Sequence, residues 1–202
     1  MKKFALLGCG GLVLILVAVV VVGGIFIAGA YNGLVKQEEG VKTAWSQVEN
    51  VYQRRADLIP NLVETVKGVA NFEKETYTAV TEARSRVGQI KVTPEMLNNP
   101  NAFAQFQKAQ GELGSAISRL LVVAENYPQL KANQNFLELQ SQLEGTENRI
   151  AVERRTFNEV AQKYNTMVRS FPRNFIASFF GFKQKAYFEA LAGADKAPQV
   201  KF

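Results

Sequence analysis

The sequence has no histidine, and its single cysteine, Cys9, lies inside an apolar N-terminal stretch. These absences exclude histidine base catalysis, zinc sites built from histidine or cysteine, thiol catalysis in the soluble part and disulfide bonds within the chain. The remaining residues show no nucleophile paired with a base, no phosphate-binding loop and no metal-ligand pattern. We therefore expect a protein that is not an enzyme, with no cofactor, no metal site and no small-molecule substrate.

Blocks of like charge are also missing from the sequence. The net charge is +6, but acidic and basic residues are interspersed along the chain. No run of lysines or arginines alternates with aromatic residues as a nucleic-acid groove would require. We expect no nucleic acid as a partner, and we interpret the basic excess as a solvated surface that favours proximity to anionic lipid.

Charged side chains are absent from Phe4 to Val35. This run exceeds the roughly 20 apolar residues that cross a bilayer. A cleaved signal peptide would have an apolar core of only about 7–15 residues, and too little apolar sequence precedes Cys9 for a lipoprotein signal. The run therefore predicts an uncleaved, single-pass anchor, which we assign to residues 1–30, and the lipid bilayer is the first expected partner.

The lysines near the span do not determine its orientation. Lys2 and Lys3 precede the span and Lys36 and Lys42 follow it, so its two sides carry similar positive charge. Both orientations stay open. We favour an N-terminus in the cytoplasm and a domain outside it.

Apolar residues after the span recur at alternating spacings of three and four, the heptad pattern of helices that pack side by side. Prolines divide this pattern, because Pro100 is placed as a helix start and Pro128 and Pro172 follow helix ends. The pattern predicts amphipathic helices at about 31–90, 100–127 and 133–171.

The predicted fold class is all-α. An N-terminal transmembrane helix continues into a long, antiparallel, coiled-coil-like bundle of three to four helices. The predicted bundle covers residues 31–171, and an aromatic-rich C-terminal helix and tail cover residues 172–202.

Pro60 interrupts the first predicted helix and decides how many helices the bundle has. The apolar residues before it, here called the Trp45 seam, are Val41, Trp45, Val48 and Tyr52. A straight first helix from the membrane to residue 90 would be longer than the second helix, which at 1.5 Å per residue covers only about 40 Å. The second and third helices would then not reach back to this seam.

Two arrangements would cover the Trp45 seam. Pro60 could act as a hinge that folds the seam back as a fourth helix. Alternatively, the helix continues with a kink at Pro60, and the seam packs against copies of itself. We favour the second arrangement, and with it a homo-oligomer, because no glycine, serine or asparagine cluster for a reversal surrounds Pro60.

A group of polar residues surrounds the proline, with Arg55 at a seam position of the heptad pattern. The group consists of Arg54, Arg55, Asp57 and Asn61. Since Pro60 lacks a backbone N–H, it frees a carbonyl in the preceding turn for an arginine or for the Asn61 amide to satisfy. These residues would form a partner-binding node, or they would cap the kink and bridge helix faces. We favour the structural role.

Five phenylalanines occur between residues 171 and 182, flanked by arginines and lysines. Those at Phe175, Phe179 and Phe180 are the candidates for an interaction surface. They would lie in a lipid interface, dock a partner or close the end of the bundle as a cap. We favour the cap.

Several motifs resemble those of the LemA family. They are Tyr31-Asn32-Gly33-Leu34-Val35, Ala44-Trp45-Ser46-Gln47-Val48, Arg54-Arg55-Ala56-Asp57-Leu58-Ile59-Pro60-Asn61-Leu62-Val63, Tyr127-Pro128, Leu130-Lys131-Ala132-Asn133, Glu147-Asn148-Arg149-Ile150, Arg154-Arg155, Tyr164-Asn165, Phe180-Gly181-Phe182, Tyr187-Phe188 and Val200-Lys201-Phe202. The resemblance covers nearly the whole chain. It implies a single-pass bacterial membrane protein with a long helical-bundle domain, and it implies no established activity and no catalytic residues.

Two functions are consistent with these observations. The first is a non-enzymatic, self-associating scaffold in the bacterial cytoplasmic (inner) membrane, which presents a rod-like bundle to other membrane or envelope proteins. The alternative is a sensor or adaptor subunit for a membrane peptidase or signalling protein, in which the kink at Pro60 switches between two helix arrangements. The sequence does not name the partner protein.

Overall fold

The computed structural model of the protein describes residues 2–69 and 72–189. This part of the chain is α-helical apart from its turns and a non-helical C-terminal segment, and it contains no β-strand. The prediction of an all-α fold, with a long apolar N-terminal helix leading into a helical bundle, is confirmed. The predicted tail beyond residue 189, with its Val200-Lys201-Phe202 motif, lies outside the described residues.

The helices follow one another with short connections. They are α1 (Lys2–Lys67), α2 (Lys74–Gln89), a short 3-10 helix (Pro94–Asn98), α3 (Pro100–Ala124), α4 (Pro128–Lys131), α5 (Gln134–Arg169) and α6 (Arg173–Phe180). Proline opens α3, as its position predicted, and the Asn99 side chain accepts the N–H of Asn101 at 3.1 Å and that of Ala102 at 3.2 Å. This side chain satisfies two of the donors that a helix start leaves unpaired.

The predicted helix over residues 31–90 is two helices. Pro60 lies inside α1, which continues to Lys67, and α2 begins only at Lys74. Gly68 follows the basic last turn of α1, a common stop signal. The prediction of one helix to residue 90 is therefore wrong. The favoured arrangement, a helix that continues across Pro60, is confirmed, and the alternative of a reversal at Pro60 is excluded.

The turn after α1 changes which helices lie beside the Trp45 seam. The Lys67 ammonium lies 5.6 Å from the Tyr77 ring centroid, and Arg84 donates to the carbonyl of Ala56. These contacts show that α2 runs antiparallel to α1, so α3 starts beside the seam. The ring centroids of Trp45 and Phe103 are 5.8 Å apart.

The Trp45 seam is consequently filled by the chain's own residues. Its four side chains, Val41, Trp45, Val48 and Tyr52, are 0–5% exposed. The prediction that this seam packs against copies of the protein is wrong. The expectation of an uncovered seam assumed a straight first helix to residue 90, with the second long helix starting at its far end. In the structure α2 runs back along α1, so the second long helix, α3, starts beside Trp45.

The described chain divides into two compact units. One, here called the anchor unit, contains the chain up to Gly40 together with Gln162–Gln184. The other, the bundle unit, contains Val41–Ala161 and the chain from Lys185 onward. These limits differ from the predicted domain boundaries at residues 30 and 171, because α1 and α5 each contribute residues to both units.

The bundle unit is built around an apolar core shared by α1, α2, α3 and α5. The residues of this core include Ile59, Leu62, Val66, Val80, Ala83, Leu113, Ile117, Leu120, Phe136 and Leu143, all at most 3% exposed. They come from the heptad positions of each helix, so the same periodicity that predicts the helices also supplies the core.

A second core cluster is aromatic and surrounds Trp45. The ring centroids of Phe103, Phe106, Phe157 and Phe188 lie 5.5–6.1 Å from that of the indole. Phe188 comes from the non-helical segment after α6. The Asn158 side chain holds its backbone with two hydrogen bonds, donating to the Phe188 carbonyl at 2.8 Å and accepting the Phe188 N–H at 2.9 Å.

The anchor unit contains the apolar part of α1. Its large apolar side chains from Leu12 to Ile27 are 46–72% exposed, and in the described chain α1 is the one helix long and apolar enough to cross a membrane. A continuous apolar surface of this length is stable where lipid replaces water. The apolar part of α1 is accordingly a candidate membrane span.

Candidate functional site

The polar residues around Pro60 separate into an inward group and an outward group. Arg55 points into the bundle unit and is 2% exposed, whereas Arg54, Asp57 and Asn61 are exposed. Arg54 and Asp57 line a shallow cleft of α1 that faces α5. Of the four residues predicted to form the polar node, only Arg55 is buried.

Arg55 joins three helices through its hydrogen bonds. Its Nη1 donates to Glu147 Oε1 of α5 at 2.7 Å, and its Nη2 donates to the Gln110 carbonyl of α3 at 3.1 Å. The same Nη2 donates to Gln110 Oε1 in a shorter contact, and the guanidinium lies 5.3 Å from the Tyr52 ring centroid. Of the three guanidinium nitrogens of Arg55, Nε has no hydrogen-bond partner among the described residues.

Burying a charge in this way is unfavourable unless its hydrogen bonds are made. Arg55 makes its hydrogen bonds through Nη1 and Nη2, to atoms of α5 and α3. The guanidinium thus links α1, α3 and α5 within the bundle unit, and the structural role that we favour from the sequence stays a prediction.

Tyr52 extends this polar centre to a second arginine. Arg154 Nε donates to the Tyr52 hydroxyl at 2.6 Å, and the Arg154 guanidinium lies 5.0 Å from the Phe188 ring centroid. Burial raises the pKa of the Tyr52 hydroxyl, and the charge of Arg154 partly opposes this rise. The phenol therefore stays neutral at physiological pH, with its oxygen as acceptor for Arg154.

The carbonyl freed by Pro60 has a partner from α2. Proline has no N–H to donate to the carbonyl of Ala56, four residues earlier. Arg84 Nε donates to this carbonyl instead, at 3.0 Å. The prediction that an arginine satisfies the freed carbonyl is correct in type, but the residue is Arg84 rather than Arg54, Arg55 or Asn61.

Arg84 lies at the edge of a groove between α1, α2 and α3. The groove has a volume of about 660 Å³. Its lining includes apolar side chains, Val87, Ile90, Val92 and Phe106, and polar side chains, Glu49, Tyr52, Gln53, Arg84, Gln89 and Gln110. Tyr52 and Gln110 connect the floor of the groove directly to Arg55.

Glu49 supplies the negative charge of the groove. Partial burial raises the pKa of its carboxyl, and a hydrogen bond from the Trp45 side chain acts in the opposite direction. The pair of Glu49 and Arg84 gives the groove both signs of charge.

The raised pKa of Glu49 predicts a pH dependence of stability. A raised folded-state pKa gives a contribution that is present below the unfolded pKa, about 4.3, and is lost as the pH rises through the folded pKa. Glutamine stays neutral and keeps an acceptor for Trp45. We therefore expect the thermal unfolding midpoint of Glu49→Gln to rise relative to wild type as the pH increases from about 4 to about 7.

The control for this titration is Glu82→Gln, since Glu82 is exposed on α2. Its midpoint is expected to follow wild type more closely at each pH. A difference between Glu49→Gln and wild type that is the same at every pH contradicts the role of the Glu49 carboxyl.

The predicted phenylalanine candidates do not form a cap. Phe175 and Phe179 are 65% and 85% exposed, and Phe180 is 47% exposed. They belong to the anchor unit. The prediction of an end cap is wrong for these rings, because the buried side of α6 carries Ile176 and Ala177 instead.

The long-range partners of the site are not predicted from the sequence. They are Arg84, Gln110, Glu147, Arg154 and Phe188. One signal was present, since Gln110 lies at a seam position of α3 as Arg55 does in α1. Two polar residues in apolar seams are typical of a buried pair. No local pattern marks the other partners.

Comparison with known proteins identifies the family. The LemA family profile matches residues 44–202. Magnetosome proteins MamQ 2 and MamQ 1 of Paramagnetospirillum magneticum are each 27% identical over 181 residues, which is 82% of this chain and 66% of the relative. The chain thus spans slightly less than two thirds of the length of these relatives.

Protein LemA of Metamycoplasma hominis is also similar. It is 26% identical over 165 residues, which covers 80% of this chain and 70% of the relative. The profile match covers most of the chain, and it includes the residues of the Arg55 centre and of the groove. The chain therefore belongs to the LemA family.

Proposed function

We propose that the protein is a non-enzymatic scaffold of the bacterial cytoplasmic membrane, anchored by α1, that presents its helical bundle to another membrane protein. The observation that carries this proposal concerns α1 itself. Its large apolar side chains are exposed from Leu12 to Ile27, whereas core residues from Val41 to Val66 are buried. One helix thus supplies both the membrane segment and a wall of the bundle, as a protein that displays a domain at a membrane requires.

The groove between α1, α2 and α3 is the proposed binding place for the partner. It combines an apolar lining with two side chains of opposite charge, Glu49 and Arg84. A groove of this character suits an amphipathic segment of another protein, which offers an apolar side and charged flanks.

Self-association stays a prediction, but the surface predicted for it is inside the bundle unit. The groove gives more support to the adaptor alternative, in which a different protein is bound. A switch at Pro60 has less support, because α1 is helical on both sides of the proline and Arg84 satisfies the freed carbonyl.

Two glycines allow a matched test of the groove. A Cβ added at Gly88, which lines the groove, meets no atom within 4 Å, and the same holds for Gly145 on α5, outside the groove. Leucine at either helical position improves helix propensity by up to about 1 kcal/mol. Both variants should therefore fold, and only Gly88→Leu narrows the groove.

The measurement is purification of the tagged full chain from cross-linked native membranes, followed by quantitative mass spectrometry. We expect a second membrane protein at stoichiometric amount with wild type and Gly145→Leu, and several-fold less of it with Gly88→Leu. Equal recovery with both variants would place the partner elsewhere on the chain. Recovery of this chain alone in all three samples would contradict the proposal that the bundle is presented to another membrane protein, and it would favour self-association.

A further inference from the structure

The exposed phenylalanines near α6 form one surface, here called the phenylalanine face. It consists of Phe171, Phe175 and Phe179, which are 80%, 65% and 85% exposed. Phe175 and Phe179 are four residues apart in α6 and project from the same side of this helix. Phe171 lies in the turn before α6, and its ring centroid is 6.0 Å from that of Phe175. The opposite side of α6 packs inward through Ile176 and Ala177.

Such a surface is unfavourable in water. Each square ångström of exposed apolar surface costs about 25 cal/mol relative to burial, and contiguous exposed apolar surface normally marks a binding surface. The question is therefore which apolar phase or molecule covers the phenylalanine face.

The position of α6 within the anchor unit answers this question. The Tyr31 ring lies 4.9 Å from that of Phe180 and 5.6 Å from that of Phe182, between centroids. Tyr31 follows Ile27, the last residue of the exposed apolar run of α1, by only about 6 Å of helix. These contacts hold α6 beside the end of the exposed apolar run of α1.

Gly181 makes this arrangement possible. It ends α6 with a φ of 78°, in the left-handed region that favours glycine. The chain then turns back, and the Phe182 N–H donates to the Ala177 carbonyl at 2.9 Å. Phe180 and Phe182, on either side of this glycine, both reach Tyr31.

The charges of the segment that carries the phenylalanine face have one sign. Residues 162–184 include no aspartate or glutamate, and their basic residues are Lys163, Arg169, Arg173 and Lys183. Arg169, Arg173 and Lys183 are exposed next to the face in sequence. Aromatic rings flanked by cations are typical of segments that lie in the interface of an anionic membrane.

We propose that α6 lies in the headgroup region of the same bilayer that α1 crosses. The phenylalanine face is directed toward the acyl chains, and Arg169, Arg173 and Lys183 contact anionic headgroups. Lipid is the occupant because the face adjoins a surface that is already in lipid and carries no acidic residue of its own. The proposal rests on the membrane span of α1 and is independent of the scaffold role.

Spin labelling of the full chain in vesicles tests this placement. Cys9 is the only cysteine, so a Cys9→Ala background accepts a single nitroxide at Phe175→Cys or Phe179→Cys. The matched control is Val122→Cys, an apolar position on α3 that is 63% exposed. The vesicles contain phosphatidylcholine with phosphatidylglycerol, and the readout is the accessibility of the label to oxygen relative to a water-soluble nickel chelate.

We expect the ratio of oxygen to nickel accessibility at Phe175 and Phe179 to be several-fold higher than at Val122. Equal ratios at the three positions would place the face in water and overturn the proposal. Low accessibility to both reagents, with dipolar broadening between labels, would show a second copy over the face and also overturn it. In vesicles of phosphatidylcholine alone the ratio at Phe179 should fall, and an unchanged ratio would refute the contact with anionic headgroups.

Discussion

Replacing Arg55 with alanine is expected to lower the free energy of unfolding of the bundle unit by about 3–5 kcal/mol. The change removes the hydrogen bonds to Glu147 and Gln110 and the contact with the Tyr52 ring. It also leaves a cavity and a buried Gln110 side chain with one partner fewer. At roughly 2–4 °C for each kcal/mol, the thermal unfolding midpoint of the full chain in detergent should fall by about 10 °C.

The neighbouring residue provides the control. Arg54 is exposed, so Arg54→Ala removes the same charge from the same helix but should change stability by no more than about 0.5 kcal/mol. Circular dichroism during heating measures both variants. If the two midpoints agree, the buried guanidinium does not stabilise the bundle.

Replacing Trp45 with alanine is expected to destabilise the bundle unit by about 3–5 kcal/mol, the usual range for a large aromatic residue in a core. The indole is 4% exposed and packs against four phenylalanine rings. Because these partners belong to the same chain, the mass of the folded protein in mild detergent should not change. The thermal midpoint and the mass are therefore measured on the same samples.

Tyr187→Ala is the matched control for this variant, since Tyr187 is an aromatic residue that is 40% exposed, beside the buried Phe188. A much smaller loss of stability is expected for it. A Trp45→Ala variant with an unchanged midpoint but a lower mass would mean that the seam faces another copy of the chain. That outcome would restore the arrangement that the structure excludes.

Much of the fold can be predicted from the heptad periodicity of the sequence. Val41, Trp45, Val48 and Tyr52 were identified as one apolar seam, and all four are buried. Periodicity shows that a side of a helix is buried, because it depends only on spacing along the chain. It does not show which helix covers that side, since this depends on where the chain turns.

The sequence predicts the first turn after residue 90, whereas α1 ends at Lys67. Pro60 is the stronger helix breaker in isolation, yet its freed carbonyl is satisfied by Arg84, so the helix continues. Gly68 is the weaker signal, but it lies where α1 ends. A proline in a helix is tolerated when a distant side chain supplies the missing donor, and that distant residue cannot be identified from local sequence.

The candidate site is likewise only partly predictable from the sequence. Arg55 stands out in the sequence as a polar residue in an apolar seam, and the structure brings it together with Gln110 of the α3 seam, which the sequence analysis does not single out. Glu147 and Arg154 lie on α5 without any pattern that links them to α1. Their roles come from the packing of three helices, which spacing along one helix does not encode.

The contact between Trp45 and Phe188 also orders events during synthesis. The ribosome delivers Trp45 long before Phe188, and the two rings lie 6.1 Å apart in the folded protein. Contacts between residues so distant in sequence form only after both have emerged. The aromatic core therefore closes only after Phe188 has been synthesised, so a nascent chain released before Phe188 lacks part of its own core.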